Sequence, residues 1–151
     1  MVSKARLLIL AFSVLLFLPG CDWVDDTHEA HVDAEGFQIV VDGQVVVQWR
    51  EGVVTGSVPL EIPIGQSHHL TVRFLDHDGK VIPVDEIDSI TVMSVEVADP
   101  TLVELVMDDT DPWSFDLTGI EAGDTELSIG LRHGPDHFDF TPRAVSIRVV
   151  A

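Results

Sequence analysis

A single cysteine, Cys21, stands in the whole chain, so no internal disulfide can form and a cysteine-based zinc or redox site is excluded. Basic residues are scarce as well: eight Lys and Arg stand against 26 Asp and Glu. Beyond Lys4, the only lysine is Lys80. A surface with that balance repels phosphate backbones and anionic headgroups, which removes nucleic acid as a partner. The chain also lacks a Gly-x-Ser-x-Gly elbow, a phosphate-cradling glycine loop and a dinucleotide fingerprint. Carboxylates are so numerous that no catalytic pair stands out, and an enzyme is not expected. No window reads as a helix of ordinary length. With no disulfide, the fold rests on its apolar core, and 46% hydrophobic residues are enough to supply one.

The N-terminus is the clearest positive signal. Lys4 and Arg6 precede Leu7 to Leu18, an apolar run of 12 residues. That length suits a signal-peptide core and is too short to span a bilayer as a helix. Leu18-Pro19-Gly20-Cys21 then resembles a lipobox, which implies lipidation of the Cys21 thiol and cleavage before it. A lipidated Cys21 cannot serve as a nucleophile. Residues 1–20 are therefore expected to be a lipoprotein signal peptide. Residues 21–36 are expected to form an acidic tether, and residues 37–151 one domain in the bacterial cell envelope, on the periplasmic or cell-surface side. Loss of Lys4 and Arg6 leaves six basic against 26 acidic residues, a formal charge of −20. Such a surface suits a salt-rich environment, and it equally keeps a secreted protein soluble.

From Phe37 onward the pattern is β. Phe37–Val41 and Val45–Trp49 are β-rich runs joined by Asp42-Gly43-Gln44, a hairpin signal. Val58 to Ile64 carries Pro59 and Pro63, which predicts an edge strand or an extended loop. His68 to Leu75 alternates, with Leu70, Val72 and Phe74 on one face and His69, Thr71 and Arg73 on the other. Asp76-His77-Asp78-Gly79 reads as a tight turn. Strands are expected over 89–97, 102–107, 114–117, 125–131 and 144–150. Short strands with turns every 8–12 residues or so predict an all-β sandwich or barrel.

Two segments narrow that choice. SVEVADPTLVEL (residues 94–105) and FDLTGIEAGDTELSI (115–129) resemble bacterial Ig-like domains of the group 2 type. The likeness rests on the Asp99-Pro100 turn, on Thr118-Gly119-Ile120 with Gly123-Asp124-Thr125, and on Ile64-Gly65-Gln66 before Leu70-Thr71-Val72. It covers roughly residues 60–150. The resemblance implies an antiparallel Ig-like sandwich of about seven strands with binding or spacer roles. Within the motif, Gly119 and Gly123 are expected at positive φ, with Ile120 plugging the sandwich between them. Pro112 to Phe115 and the His-rich Leu131 to Phe140 depart from the pattern. Trp23, Trp49 and Trp113 read as core or membrane-proximal aromatics, and Trp113 is expected to be exposed.

Seven histidines form three groups. His28 and His31 lie on the tether. His68, His69 and His77 bracket one strand. His133 and His137 sit in His-Gly-Pro-Asp-His-Phe-Asp. Imidazole with carboxylate suits zinc, copper or nickel, and Gly134-Pro135 favours a curled loop. The expected ligands are His133, His137 and Asp139, joined by His77 or His69 and less firmly by His68. His28 and His31 would act as a weak scavenging arm. Surface histidines are also common in acidic proteins, and no HExxH spacing occurs. Asp76-x-Asp78-Gly79 opens like an EF-hand loop, but Ile87 occupies the position of the bidentate Glu. Asp108, Asp109 and Asp111 read as a solvated turn. The expected function is non-catalytic binding in the envelope, with capture of zinc or copper as the leading reading. The alternative is an interaction module for a protein or polysaccharide partner that uses no metal.

Overall fold

A computed structural model describes residues 32–151. Cys21, Trp23, His28 and His31, with the expected signal peptide and most of the tether, lie outside the described residues. The chain is built of β1 (Gly36–Val41), β2 (Gln44–Arg50), β3 (Val53–Gly56), β4 (Leu60–Pro63), β5 (Ser67–Leu75), β6 (Thr91–Val97), β7 (Val103–Met107), β8 (Ser114–Gly119), β9 (Gly123–His133) and β10 (His137–Val150). A 3-10 turn, Val84–Glu86, interrupts them. Among the described residues no helix is long and apolar enough to cross a membrane.

Two sheets stack. One has the order β3-β2-β1-β5-β8-β7 and the other β4-β10-β9-β6. All neighbours are antiparallel except β4 and β10. The architecture is an all-β sandwich, with ten strands among the described residues rather than about seven. Nine of the ten coincide with runs read from the sequence, the Val58–Ile64 segment becoming β4, and β3 is the addition.

Local chemistry explains the turns. Asp42 and Gly43 have φ of 50° and 77°, and Glu51 and Gly52 have 51° and 83°. Two consecutive residues in the left-handed region twist a two-residue loop to match its flanking strands, which closes the β1–β2 and β2–β3 hairpins. Gly119 and Gly123 do not adopt positive φ. Gly119 is required for close approach, because a Cβ there would stand 2.7 Å from the Pro63 carbonyl oxygen. Ile120 is 49% exposed and plugs nothing.

The core lies between the sheets. Leu70, Val72 and Phe74 are buried, as the alternation of β5 predicts, and meet Leu127, Ile129, Leu131, Ile147 and Val149 within one cluster. Phe74 is the hub of an aromatic group, edge-on to Phe37, Trp113 and Phe140 at 6.5, 6.1 and 5.9 Å. Trp113 is 8% exposed, so the expectation of an exposed indole is corrected. Asp111 accepts a hydrogen bond from the Trp113 backbone at 3.0 Å and turns the ring inward. Val32 and Ala34 are buried in the same cluster, so packing extends back into the segment read as tether.

Candidate functional site

The chemistry-bearing side chains fall into separate places. His133 ends β9 and is only 6% exposed. Its Nδ1 lies 3.1 Å from the Thr91 hydroxyl and 3.5 Å from Asp139 Oδ2. Asp139 Oδ1 lies 3.5 Å from His137 Nε2, and the Asp139 side chain is fully buried. The β9–β10 hairpin creates this bracket, because the register shifts between Phe138 and Phe140 and turns Asp139 toward His133. The structure therefore brings together His133, His137 and Asp139, the three residues singled out by spacing.

The other histidines go elsewhere. His69 is on the outer face of β5 and pairs with Asp116 at 2.9 Å, both side chains being about half exposed. His77 sits in the turn after β5, 3.4 Å from Asp78, and its carbonyl accepts from Arg50. His68 is half-buried in a hollow with Val41, Val46 and Pro59. Among the described residues no group of three or more His, Cys, Asp or Glu side chains is arranged to hold a metal ion.

The acidic turns are structural. Asp108 accepts from the Thr110 hydroxyl and amide, both at 2.7 Å, which holds its carboxyl below the ordinary value. Asp99 is held down by the Thr101 hydroxyl and amide. Asp76 is held down by the Lys80 amide first, then by the Asp78 amide. These carboxylates close loops around their own backbone amides.

A second feature was not legible as a site in the sequence. Among the described residues, β6 and β7 each have one hydrogen-bonded neighbour, β9 and β8 respectively. They lie along the same side of the sandwich, joined by the turn at Asp99-Pro100. Between them runs an open trough of about 490 Å³ lined by Val95, Val97, Val103, Leu105 and Ile120, with Pro100 and Glu104. Ile90 before β6, Val92 on β6, and Val106 and Met107 on β7 are also exposed.

Register shows which backbone groups are free along this side. The Ala98 amide donates to Glu126, which puts the even-numbered residues of β6 in hydrogen-bonded pairs with β9. Met93, Val95 and Val97 therefore direct their amides and carbonyls away from the sheet. The Asp108 amide donates to Ser114, so Val103, Leu105 and Met107 do the same on β7. The signal for this edge was the absence of Pro, Gly and Lys from residues 91–97, which only the topology makes meaningful.

No protein-family model matches the chain, and no curated protein does. Among solved structures, domains 4 and 5 of the S-layer protein SbsC are similar to it at 15% identity and a TM-score of 0.44, over 75% of this chain and 51% of that one. A structure of SbsC domains 4-9 is similar at 14% identity and a TM-score of 0.45, over 81% of this chain and 22% of that one. The chain thus spans about half or less of the length of these structures.

Proposed function

We propose that the protein is a lipid-anchored domain of the bacterial cell envelope that acts by non-catalytic binding of a protein partner, through the open β6–β7 side. The observation that carries this reading is a trough with aliphatic side chains on its walls, flanked by two strands that have no outer neighbour among the described residues. Apolar surface bordered by free backbone donors and acceptors is suited to polypeptide. A polysaccharide platform would use exposed aromatic rings. Trp49 and Trp113 instead belong to the aromatic packing around Phe37, Phe74 and Phe140.

Two measurements test the reading. Metabolic palmitate labelling should mark the full chain and be lost in Cys21→Ser. A photo-crosslinking residue at Glu104 should yield envelope adducts, whereas one at His77 should not. Labelling independent of Cys21, or equal adducts at both positions, would overturn it.

A second reading has one observation in its favour. The bracket of His133, Asp139 and His137 places nitrogen and oxygen atoms 3.5 Å apart. That is close to the spacing of about 3.3 Å between ligands on a tetrahedral ion with bonds near 2.0–2.1 Å. Capture of zinc or copper here requires His133 to leave Thr91. Calorimetric titration of Zn²⁺ and Cu²⁺ decides it: stoichiometric binding abolished by His137→Ala supports a metal site, and weak salt-sensitive binding removes it.

A further inference from the structure

We propose that the open side takes up an extended peptide segment in which basic and apolar residues alternate, and that this segment adds to the four-stranded sheet as a new strand beside β6. The inference rests on the reading of that side as the binding surface, and it names the partner's chemistry and the mode of docking.

The edges of the sandwich are not alike. On the far side, β3 and β4 are four residues each. β3 ends in Gly56, and β4 is preceded by Pro59 and closed by Pro63. Short strands and prolines are devices that stop a stray strand from pairing. β6 is seven residues, Thr-Val-Met-Ser-Val-Glu-Val, with none of these devices. Its free amides at Met93, Val95 and Val97 repeat every second residue, which is the spacing a neighbouring strand requires.

Of these three residues, Val95 and Val97 line the trough, and Met93 is packed into the core. An added strand would lay every second side chain against Val95, Val97 and Leu105, so those side chains must be apolar. Its remaining side chains would stand on the outer face beside Glu96.

Charge selects what those remaining side chains are. Glu104 lines the trough, Glu96 is exposed on β6, and residues 88–107 contain no Lys or Arg. Unpaired negative charge on a rim favours Lys or Arg on the incoming strand. A second copy of this chain would bring Glu96 and a strongly acidic surface against their like, so the occupant is a basic partner segment.

The test uses the full chain and a synthetic peptide of about eight residues, alternating Val and Lys, long enough to run the length of β6. Two control peptides carry alternating Val and Glu, or the same Val and Lys in two blocks. The alternating Val-Lys peptide should slow hydrogen exchange at the Met93, Val95 and Val97 amides by at least about tenfold. Neither control should do so. Glu96→Lys with Glu104→Lys, both at exposed positions, should weaken binding by about tenfold without altering the melting temperature.

Val95→Pro removes one outward amide that no described strand uses, and should abolish protection at Met93 and Val97. Unchanged exchange at those amides, or equal protection by the Val-Glu peptide, would overturn the proposal. Protection already present in the free protein and rising with its concentration would also overturn it, in favour of self-pairing. If Glu104 crosslinks in the envelope while the peptide fails, strand addition alone falls. If the crosslink fails too, the binding-surface reading falls with it.

Discussion

Trp113→Ala is the sharpest test of the packing. A buried indole removes about 150–250 Å² from water, which at about 25 cal/mol per Å² amounts to roughly 4–6 kcal/mol as an upper limit. Trp113 is 8% exposed and lies edge-on to Phe74 at 6.1 Å. Truncation also widens the cavity of about 180 Å³ that the ring already lines with Ile82 and Ile87. The expected loss is therefore about 3–5 kcal/mol. In a domain of this size that lowers the melting temperature by about 12–20 °C. Urea unfolding followed by circular dichroism should show a midpoint lower by about 2 M with an unchanged slope. Trp113→Phe keeps a ring against Phe74 and should cost about 1–1.5 kcal/mol. A cost below about 1 kcal/mol for Trp113→Ala would mean that the indole is exposed and the described packing is wrong.

Gly119→Ala pushes a Cβ to 2.7 Å from the Pro63 carbonyl oxygen and should destabilise by about 1–3 kcal/mol, read by thermal melting. Gly43→Ala meets nothing within 4 Å, and its cost should be about 1 kcal/mol, set by φ of 77° alone. The carboxyls of Asp76, Asp99 and Asp108 have folded-state values below the ordinary 3.8. Their contribution is complete above the unfolded value and is lost as pH falls through the folded one. The melting temperature should therefore hold down to about pH 5 and drop below about pH 4, and Thr110→Val should shrink that drop. His69→Ala breaks a pair whose side chains are 55% and 50% exposed, and should change stability by less than about 1 kcal/mol at low salt.

What the sequence disclosed and what it hid follow from the range of each interaction. The alternation of β5, the Asp42-Gly43 turn and the prolines of β4 are local, so they could be read directly. The bracket of Asp139 by two imidazoles was legible in part, because His133, His137 and Asp139 are near in sequence and a hairpin returns the chain on itself. Thr91 could not be foreseen there, since β6 reaches His133 only through sheet pairing across 42 residues. Trp113 misled because Asp-Pro-Trp reads as a loop; the Asp111 hydrogen bonds that turn the ring inward appear only in three dimensions. The open side is the least local feature of all. Nothing within residues 91–107 says that both runs become edges, and that both edges fall on the same side.

Anchoring and the open side bear on each other. Val32 is the first described residue, and it is packed in the core. Ten residues separate it from Cys21. If Cys21 carries lipid, that chain allows at most about 40 Å between membrane and domain at roughly 3.5 Å per residue. A partner found at the β6–β7 side must then lie within about that length plus the domain's own width from the bilayer. Holding both in that layer raises their effective concentration, so contacts made one strand at a time need not be tight in solution to be occupied at the membrane. The acidic surface acts in the same direction: it keeps the domain off anionic headgroups and leaves the open side facing basic segments. Lengthening the span between Asp22 and His31 should then weaken occupancy in the envelope while leaving affinity for the Val-Lys peptide unchanged. Loss of both together would show that anchor and edge are not separate parts of one device.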